Sequence, residues 1–486
     1  MMSLSKLFAK APDLEIQNLM MDSRQKCEKS IFFCLKGMMN DGHKFIRQAV
    51  DNGAVCVVHS DPVDVYIETV VYIKVDNVVD VLNTIAAQFF GNPSEKMTVI
   101  GVTGTNGKST IALSFKNIFN KFKPTGYIGT IAVEYGDVKE LPLLTTPEIV
   151  PLHEILANMV ERGIKAVTLE VSSQGLEQNR VASIDFDTCI FTNLTHDHLD
   201  YHGTMENYYD AKKKLFTNLA KDKTAIINID DPYGQRLLQE CQAHIVSYGI
   251  NNQANYMAKN IQILSDRTIF TLQCYQDEYR VESNLVAMFN LYNLLAIIAA
   301  CHQNGMTMED IIQSVRHIQQ VDGRMELIEE GQHFSCIVDY AHTPDGFEKI
   351  FQFAKAITPK GKKIISVFGA AGKRDTKKRP ILGSISDNYC SMIILTEEDP
   401  RNETVHGICT QIAKGIVNTN YSIVEDRYDA IRQALEMAND GDTVLILAKG
   451  DETYMYREFG REPWIGDDEA AREILKDTIL KKEEFE

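Results

Sequence analysis

The segment VIGVTGTNGKST, residues 99–110, constrains this chain most, because it joins an apolar strand pattern to a helical pattern through a glycine-rich turn. Such a unit binds phosphate, since glycines let backbone N–H groups approach the anion and the helix N-terminus adds donors. Its glycines are three residues apart, which departs from the G-x-x-x-x-G-K-[ST] spacing. We expect Lys108 to reach the terminal phosphates, and Ser109 or Thr110 to contact magnesium.

Composition limits the partners of the chain. The 486 residues have a formal net charge of −17, whereas nucleic-acid and membrane-surface binders need a basic face. No run of about 18 apolar residues predicts a membrane span, and the N-terminal segment lacks the pattern of a secretion signal. Ten scattered cysteines without Cys-x-x-Cys pairs predict reduced, mostly buried thiols. We expect a cytoplasmic protein, monomeric, that binds no nucleic acid.

Alternating strand and helix patterns predict an α/β fold with three domains. We place a small α/β domain at residues 1–92, a central domain with a mostly parallel sheet at 93–324, and a Rossmann-like α/β domain at 325–486. The central buried-strand candidates are separated by helical stretches, as in βαβ units: TVIGVTG, AVTLEVS, TCIFTNL and TAIINID. Four further apolar strands predict the last domain: FSCIVDYAH, KIISVFGAAG, CSMIILTEED and TVLILAKG.

Polar residues follow two of the central strands. Glu170 ends one of them, where open α/β sheets place their ligands, and a carboxylate suits Mg²⁺, which prefers oxygen. Residues 196–202 follow the next strand and hold three His and two Asp. Zinc hydrolysis is one interpretation, but no H-E-x-x-H motif accompanies the segment. A magnesium–nucleotide site accounts for the pattern more simply.

Seven segments carry a resemblance to a known family: GVTGTNGKST, LLTTPE, EVSSQGLEQNRV, NLTHDHLDYHGTMENYYDAKKKLF, VDGRMELI, DYAHTPDG and VFGAAGKRDTKKRP. Together and in this order they resemble the Mur ligases, more narrowly the branch that adds the third amino acid of the cell-wall precursor peptide. The likeness covers nearly the whole chain, because MDSRQ, IFFCLKG and DGHKFI near the N-terminus resemble that branch's UDP-binding domain. The resemblance implies amide-bond formation with ATP, through phosphorylation of a carboxylate and attack of an amine on the acyl phosphate.

A nucleotide and metal site also follows from the resemblance. Lys108, Glu170, His198 and Lys212 would be the catalytic residues. Ser109 or Thr110 together with Glu170 would hold one Mg²⁺, and His198 a second. Lys212 matches a lysine that the family carbamylates, which turns a cation into a carboxylate-like metal ligand. The co-substrate ATP would contact Gly104, Thr105, Asn106, Gly107, Lys108, Ser109, Thr110, Asn290, Asn293, Arg324, Asp339 and His342.

The resemblance implies UDP-MurNAc-L-Ala-D-Glu as the carboxylate substrate. Ser23 and Arg24 match the family's UDP-binding motif. Hydroxyls, an amide and a guanidinium suit a ligand rich in phosphate and carboxylate groups. The expected contacts to the muramoyl peptide are Thr145, Thr146, Ser172, Gln178 and Arg180.

The amino-acid substrate depends on TEEDPRNE and AKGDETY, where the expected contacts are Arg374, Glu398, Asp399, Pro400, Arg401 and Glu452. Family members that add meso-diaminopimelate usually carry Asp-Asn-Pro-Arg, and Arg401 would pair with the second carboxylate. Asp399 replaces the asparagine and adds a negative charge, which would suit the bare ammonium of L-lysine. We favour diaminopimelate, place L-lysine next, and leave another diamino acid such as ornithine open.

Two other functions compete with this interpretation. Folylpolyglutamate synthetase shares the ligase core, but it typically lacks a separate UDP-binding domain, so residues 1–90 argue against it. A catalytically silent nucleotide-binding paralogue would have lost some of the four catalytic residues, and all four are present.

Overall fold

The computed structural model describes residues 2–37, 40–63, 66–264, 266–318 and 320–483. The first region is a sheet of four parallel strands in the order β3-β4-β5-β6 beside a small antiparallel pair, β1-β2. The strands are β1 (Met2–Ser3), β2 (Glu15–Ile16), β3 (Asn18–Met20), β4 (Ser30–Phe33), β5 (Ala54–His59) and β6 (Val71–Lys74). The helices are α1 (Leu4–Leu7), α2 (Ile46–Asp51) and α3 (Val78–Phe89), with 3-10 turns at Gly42–Phe45 and Pro93–Lys96.

The central sheet has eleven strands in the order β10-β9-β8-β11-β7-β12-β13-β14-β15-β16-β17. All neighbours from β8 to β15 pair in parallel, so the mostly parallel sheet predicted from the sequence is confirmed. Its strands are β7 (Thr98–Thr103), β8 (Thr125–Ile128), β9 (Val133–Tyr135), β10 (Val138–Glu140), β11 (Ala166–Glu170), β12 (Thr188–Phe191), β13 (Thr224–Asn228), β14 (His244–Gly249), β15 (Tyr256–Ile263), β16 (Thr268–Cys274) and β17 (Asp277–Ser283).

Helices cover this sheet because their apolar faces need partners. The most apolar of them, α10, buries eleven of its sixteen residues and packs against α4 and the sheet. These helices are α4 (Lys108–Phe119), α5 (Ile149–Glu161), α6 (Ser173–Glu177), α7 (Leu199–His202), α8 (Met205–Thr217), α9 (Pro232–Glu240), α10 (Met288–Gln303) and α11 (Met308–Val315).

The last region is a six-stranded sheet in the order β18-β19-β23-β20-β21-β22, parallel except for the edge strand β18. Its strands are β18 (Glu326–Ile328), β19 (Ser335–Asp339), β20 (Ile364–Phe368), β21 (Met392–Leu395), β22 (Asn420–Ile423) and β23 (Thr443–Leu447). A hairpin follows, β24 (Tyr454–Arg457) and β25 (Gly460–Pro463). The helices are α12 (Pro344–Ile357), α13 (Lys378–Asp387), α14 (Val405–Ala413), α15 (Arg427–Met437) and α16 (Asp467–Glu483).

The three sheets confirm the fold class, whereas the domain boundaries at 92/93 and 324/325 stay a prediction. All ten cysteines lie in the described part of the chain as free thiols, and nine of them are buried, as expected. Cys27 is the partly exposed one. Within the described ranges, no helix combines the length and the apolar character that crossing a membrane requires.

Candidate active site

The phosphate loop lies between the end of β7 at Thr103 and the start of α4 at Lys108. A side chain at Gly107 would be strained, because the residue has φ 88° and a Cβ there would lie 2.4 Å from Asn293 Oδ1. The Lys108 Nζ donates to the backbone oxygens of Gly104 at 3.1 Å and Thr105 at 2.8 Å. Burial lowers the pKa of the Lys108 ammonium. The lysine is thus held against its own loop.

Glu170 lies fully buried at the end of β11, beside the loop. Ser109 Oγ donates to its Oε2 at 2.9 Å, and the Tyr127 hydroxyl donates to its Oε1 at 2.5 Å. The backbone N–H of Thr130 donates to Oε1 at 3.0 Å, and the Thr130 hydroxyl to Oε2 at 3.2 Å. Thr110 lines the same cleft. Oxygen donors of this kind fit Mg²⁺, which binds carboxylates and phosphate oxygens.

Lys212 approaches the loop from α8. Its side chain is almost wholly buried, and Nζ donates to the backbone oxygen of Gly104 at 2.8 Å. Burial, followed by the charge of Lys108, lowers the pKa of Lys212 well below its usual value. Nζ also lies 4.8 Å from the centre of the Tyr208 ring. The residue is therefore a buried amine at the phosphate loop.

His198 lies at the N-cap of α7 with φ 52°, and its ring lies beside the Tyr208 ring, as Lys212 Nζ does. The ring centroids of His198 and Tyr208 are 6.1 Å apart. His198 Nε2 is 3.3 Å from Asp197 Oδ2. Burial lowers the pKa of His198, although Asp197 opposes the shift. A neutral imidazole is the form that can ligate a metal.

A cleft of about 400 Å³ joins the central sheet to the last region. Eleven of the twelve predicted ATP contacts line it: Thr105, Asn106, Gly107, Lys108, Ser109, Thr110, Asn290, Asn293, Arg324, Asp339 and His342. The twelfth, Gly104, is next to it and accepts from both lysines. Asn106 Nδ2 donates to Asp345 Oδ2 at 2.9 Å, which links the loop to the first turn of α12.

The last region contributes the residues at the end of β19 to the nucleotide side of the cleft. Asp339 accepts from the backbone N–H groups of Met325 and Ala341, both at 2.7 Å, and burial raises its pKa. Burial lowers the pKa of His342 to about 4. The guanidinium of Arg324 stacks 4.1 Å from the centre of the Tyr340 ring. These groups present one cation and a neutral imidazole to the cleft.

The predicted peptide contacts form a second cluster, which contacts the backbone of Glu170. Thr146 Oγ1 donates to the Glu170 backbone oxygen at 2.9 Å and lies 3.1 Å from Ser172 Oγ. Arg180 donates to the Thr146 backbone oxygen at 2.9 Å and to Gln178 Oε1 at 2.6 Å. This cluster also includes Thr145, whose hydroxyl is 3.0 Å from that of Thr130.

Ser23 and Arg24 lie in the first region and do not line the cleft. Ser23 Oγ donates to Gln48 Oε1 at 2.8 Å, and Arg24 pairs with Asp22 at 2.6 Å with its side chain 80% exposed. The structure thus keeps the predicted UDP contacts apart from the predicted ATP contacts.

The predicted amino-acid contacts surround the end of β21. Asp399 is buried and pairs with Lys449 at 2.7 Å, and Lys449 pairs with Glu452 at 2.5 Å. Arg401 donates to the Gly372 backbone oxygen at 2.7 Å. Burial, and then Asp399, raises the pKa of Glu398 to about 7. Two further members differ in exposure: Pro400 is buried and Arg374 is exposed.

Comparisons with known proteins match this arrangement along the chain. Residues 15–90 match the model "Mur ligase family, catalytic domain", 102–301 "Mur ligase middle domain" and 323–450 "Mur ligase, glutamate ligase domain". The chain is 40% identical to a UDP-N-acetylmuramoyl-L-alanyl-D-glutamate–2,6-diaminopimelate ligase 1 of Clostridium acetobutylicum, over 91% of each protein. It belongs to the Mur ligase family.

Further comparisons cover nearly all of this Mur ligase. A Clostridium botulinum protein named UDP-N-acetylmuramoyl-L-alanyl-D-glutamate–2,6-diaminopimelate ligase is 37% identical and covers 98% of both chains. A solved structure whose title gives that same ligase superposes with a TM-score of 0.70 at 28% identity, covering 99% of both chains. The protein is an ATP-dependent amide ligase.

The sequence reasoning missed several residues that this Mur ligase places at the site. Asp230 follows β13, lines the cleft, and accepts from the Tyr292 hydroxyl at 2.9 Å. Thr130 follows β8 and contacts Glu170. Lys449 follows β23 and contacts Asp399. All three follow the carboxyl ends of parallel strands, and searching every such end for polar residues would have found them.

A buried ion pair holds the amino-acid side of the site in place. Arg427 and Asp467 are both fully buried and pair at 2.5 Å. Arg427 also donates to the backbone oxygens of Glu397 at 3.0 Å and Leu447 at 2.8 Å. These oxygens lie at the ends of β21 and β23, so one side chain ties together the two strands that carry Asp399 and Lys449.

Proposed function

We propose that this Mur ligase joins the amine of meso-diaminopimelate to the D-glutamyl carboxylate of UDP-MurNAc-L-Ala-D-Glu, with ATP as the energy source, in peptidoglycan precursor synthesis. The observation that carries the proposal is the contact between Ser109 and Glu170 beside a phosphate loop, in a cleft that the last region closes. The relatives are named for this activity and match at least nine-tenths of this chain, which supports the choice of substrates.

The reaction needs a leaving group, because an amine does not displace oxide from a carboxylate. A D-glutamyl carboxylate oxygen attacks the γ-phosphorus, and ADP leaves. The amine then attacks the acyl carbon, phosphate leaves, and the nitrogen loses a proton. Lys108 and the backbone N–H groups at the start of α4 would stabilise the charge of the transferring phosphoryl group, which is the main contribution of a protein to such a step.

Mg²⁺ fits the oxygen-rich surroundings of Glu170, and we assign it to two positions. Ser109 or Thr110 with Glu170 would hold one ion, and His198 with carbamylated Lys212 the other. Bound there, Mg²⁺ would neutralise phosphate charge. Burial of Lys212 beside the loop supports the carbamate, since an ammonium at that position would repel a cation.

The proposal also covers the oligomeric state and the location of the enzyme. We propose that the enzyme is a monomer. We place the reaction in the cytoplasm, where ATP is available. A folylpolyglutamate synthetase activity is less well supported, since residues 15–90 match the family's first model. A silent paralogue is less well supported because Lys108, Glu170, His198 and Lys212 are all present.

Phosphate release with UDP-MurNAc-L-Ala-D-Glu, ATP and one amino acid at a time tests the proposal. We expect release with meso-diaminopimelate, and much slower release with L-lysine or L-ornithine. Mass spectrometry of the product identifies the amide formed. Absence of release with all three amino acids would reject the assignment, and release with L-lysine alone would reject the choice of amino acid.

A further inference from the structure

Lys449 separates two carboxylates at the proposed amino-acid site. Its side chain is fully buried, and Nζ donates to Asp399 Oδ1 at 2.7 Å and to Glu452 Oε2 at 2.5 Å. The backbone N–H of Tyr456 donates to the same Asp399 oxygen at 3.0 Å. Asp399 therefore does not present a free negative charge, although the sequence alone suggests one.

We propose that Lys449 is a specificity-determining positioning residue, which cancels the charge of Asp399 and so keeps the site open to a second carboxylate on the incoming amino acid. The inference rests on the proposed function and deepens it. It assigns to Lys449 a part in the preference for diamino acids whose far end carries both an ammonium and a carboxylate, rather than an ammonium alone.

The contacts around Tyr456 show why the negative charge of Asp399 would affect binding of a substrate carboxylate. Asp399 accepts from the Tyr456 N–H, while the backbone N–H of Arg401 donates to the Tyr456 oxygen at 2.9 Å. The Arg401 guanidinium lies 5.3 Å from the centre of the same tyrosine ring. Asp399 and Arg401 thus flank one residue. An unpaired Asp399 would repel a substrate carboxylate that approaches Arg401, because like charges interact strongly where water is excluded.

Glu452 has two hydrogen-bond donors besides Lys449. Its Oε1 accepts from the hydroxyls of Tyr340 and Tyr454, both at 3.2 Å. Asp399, by contrast, has the Tyr456 N–H and Lys449 as its described donors. Without Lys449, Asp399 would keep one described donor, the Tyr456 N–H, whereas Glu452 would keep two.

Lys449→Met tests the proposal, because methionine keeps much of the side-chain length and removes the charge. We expect the ratio of kcat/KM for meso-diaminopimelate to kcat/KM for L-lysine to fall about 10-fold, mainly through the KM for diaminopimelate. The KM values for ATP and for UDP-MurNAc-L-Ala-D-Glu should stay near those of the wild type, and Lys449→Arg should keep the ratio. Lys360→Met removes an exposed lysine of the same region and serves as the control.

Two variants keep the test decisive if Lys449→Met fails to fold. Asp399→Asn with Lys449→Met removes both charges and should restore the wild-type ratio. Asp399→Asn alone should raise the ratio, because Lys449 keeps its positive charge and loses this carboxylate partner. A lower ratio in that single variant would overturn the inference. So would an unchanged ratio in Lys449→Met with active wild-type enzyme, whereas inactivity of the wild type with every amino acid rejects the proposed function itself.

Discussion

Ser109 Oγ donates a 2.9 Å hydrogen bond to Glu170 Oε2 and so connects the first turn of α4 to the end of β11. The phosphate loop ends at the start of α4, where Ser109 is the second residue, and Glu170 is wholly shielded from water. The carboxylate is therefore held beside the place where the nucleotide phosphates are expected.

Glu170→Gln keeps the size of this side chain and removes its charge. We expect phosphate release to fall about 100-fold, because charge stabilisation at the transferring group is lost. The Mg²⁺ concentration that gives half-maximal rate should rise, and a magnesium titration at saturating ATP measures it. Ser114→Ala changes an equally buried side chain on α4 and should leave both quantities near the wild type. An unaltered magnesium requirement in Glu170→Gln would remove the metal role.

Lys212→Ala should abolish most activity, since the proposed carbamate is lost. Short carboxylic acids should restore part of the rate, because a carboxylate can occupy the vacated space. Rates of phosphate release with and without added acetate or formate measure the rescue. Lys213→Ala is the matched control, since Lys213 makes its ion pairs with Asp210 and Glu240 on the partly exposed side of α8. Full activity of Lys212→Ala would contradict the assignment.

The raised pKa of Glu398 predicts that the free energy of unfolding depends on pH. Burial and Asp399 raise its pKa to about 7 from 4.5, so the folded protein holds this proton more tightly than the unfolded chain. The stabilisation is present below the unfolded pKa and is lost as the pH rises from about 4.5 to about 7, by at most about 1.4 kcal/mol per pH unit. Urea unfolding of the wild type should show this fall, and Glu398→Gln should flatten it. Parallel curves for the two proteins would contradict the assignment of the shift.

Asp467→Asn should strongly destabilise the protein. It leaves the fully buried Arg427 without a compensating charge, which costs about 3 kcal/mol or more. Urea or thermal unfolding measures the loss, and the KM for the amino acid should rise because Arg427 ties β21 to β23. Glu469→Gln changes an exposed carboxylate two residues along the helix and should have little effect. Equal stability of the two variants would show that the pair is dispensable.

The sequence predicts those features of the fold and the site that depend on short, continuous segments. The loop before Lys108, the position of Glu170 and the four main strands of the last sheet follow from short patterns of apolar residues and glycines. The antiparallel strands β15 to β17 were not predicted, because residues alternate between buried and partly exposed positions rather than forming one apolar run. Strands with one partly exposed face lack the continuous apolar run that marks fully buried parallel strands.

Contacts between distant segments could not be read from one sequence. Asn106 meets Asp345 across 239 positions, and Lys449 meets Asp399 across 50. Neither pair has a motif that links its members, so the sequence alone leaves Asp399 as an unpaired acid. The partner of Asp399 is visible only when β21 and β23 are assembled in one sheet.

The burial of nine cysteines makes the unaltered protein ready for labelling at one position. A maleimide dye reacts with accessible thiolates, and Cys27 is the thiol with partial access to solvent among the ten, all of which the structure describes. Cys27 follows Arg24 by three residues, next to the proposed UDP contacts. A fluorophore attached there would report the arrival of the sugar nucleotide directly, without removal of any other cysteine.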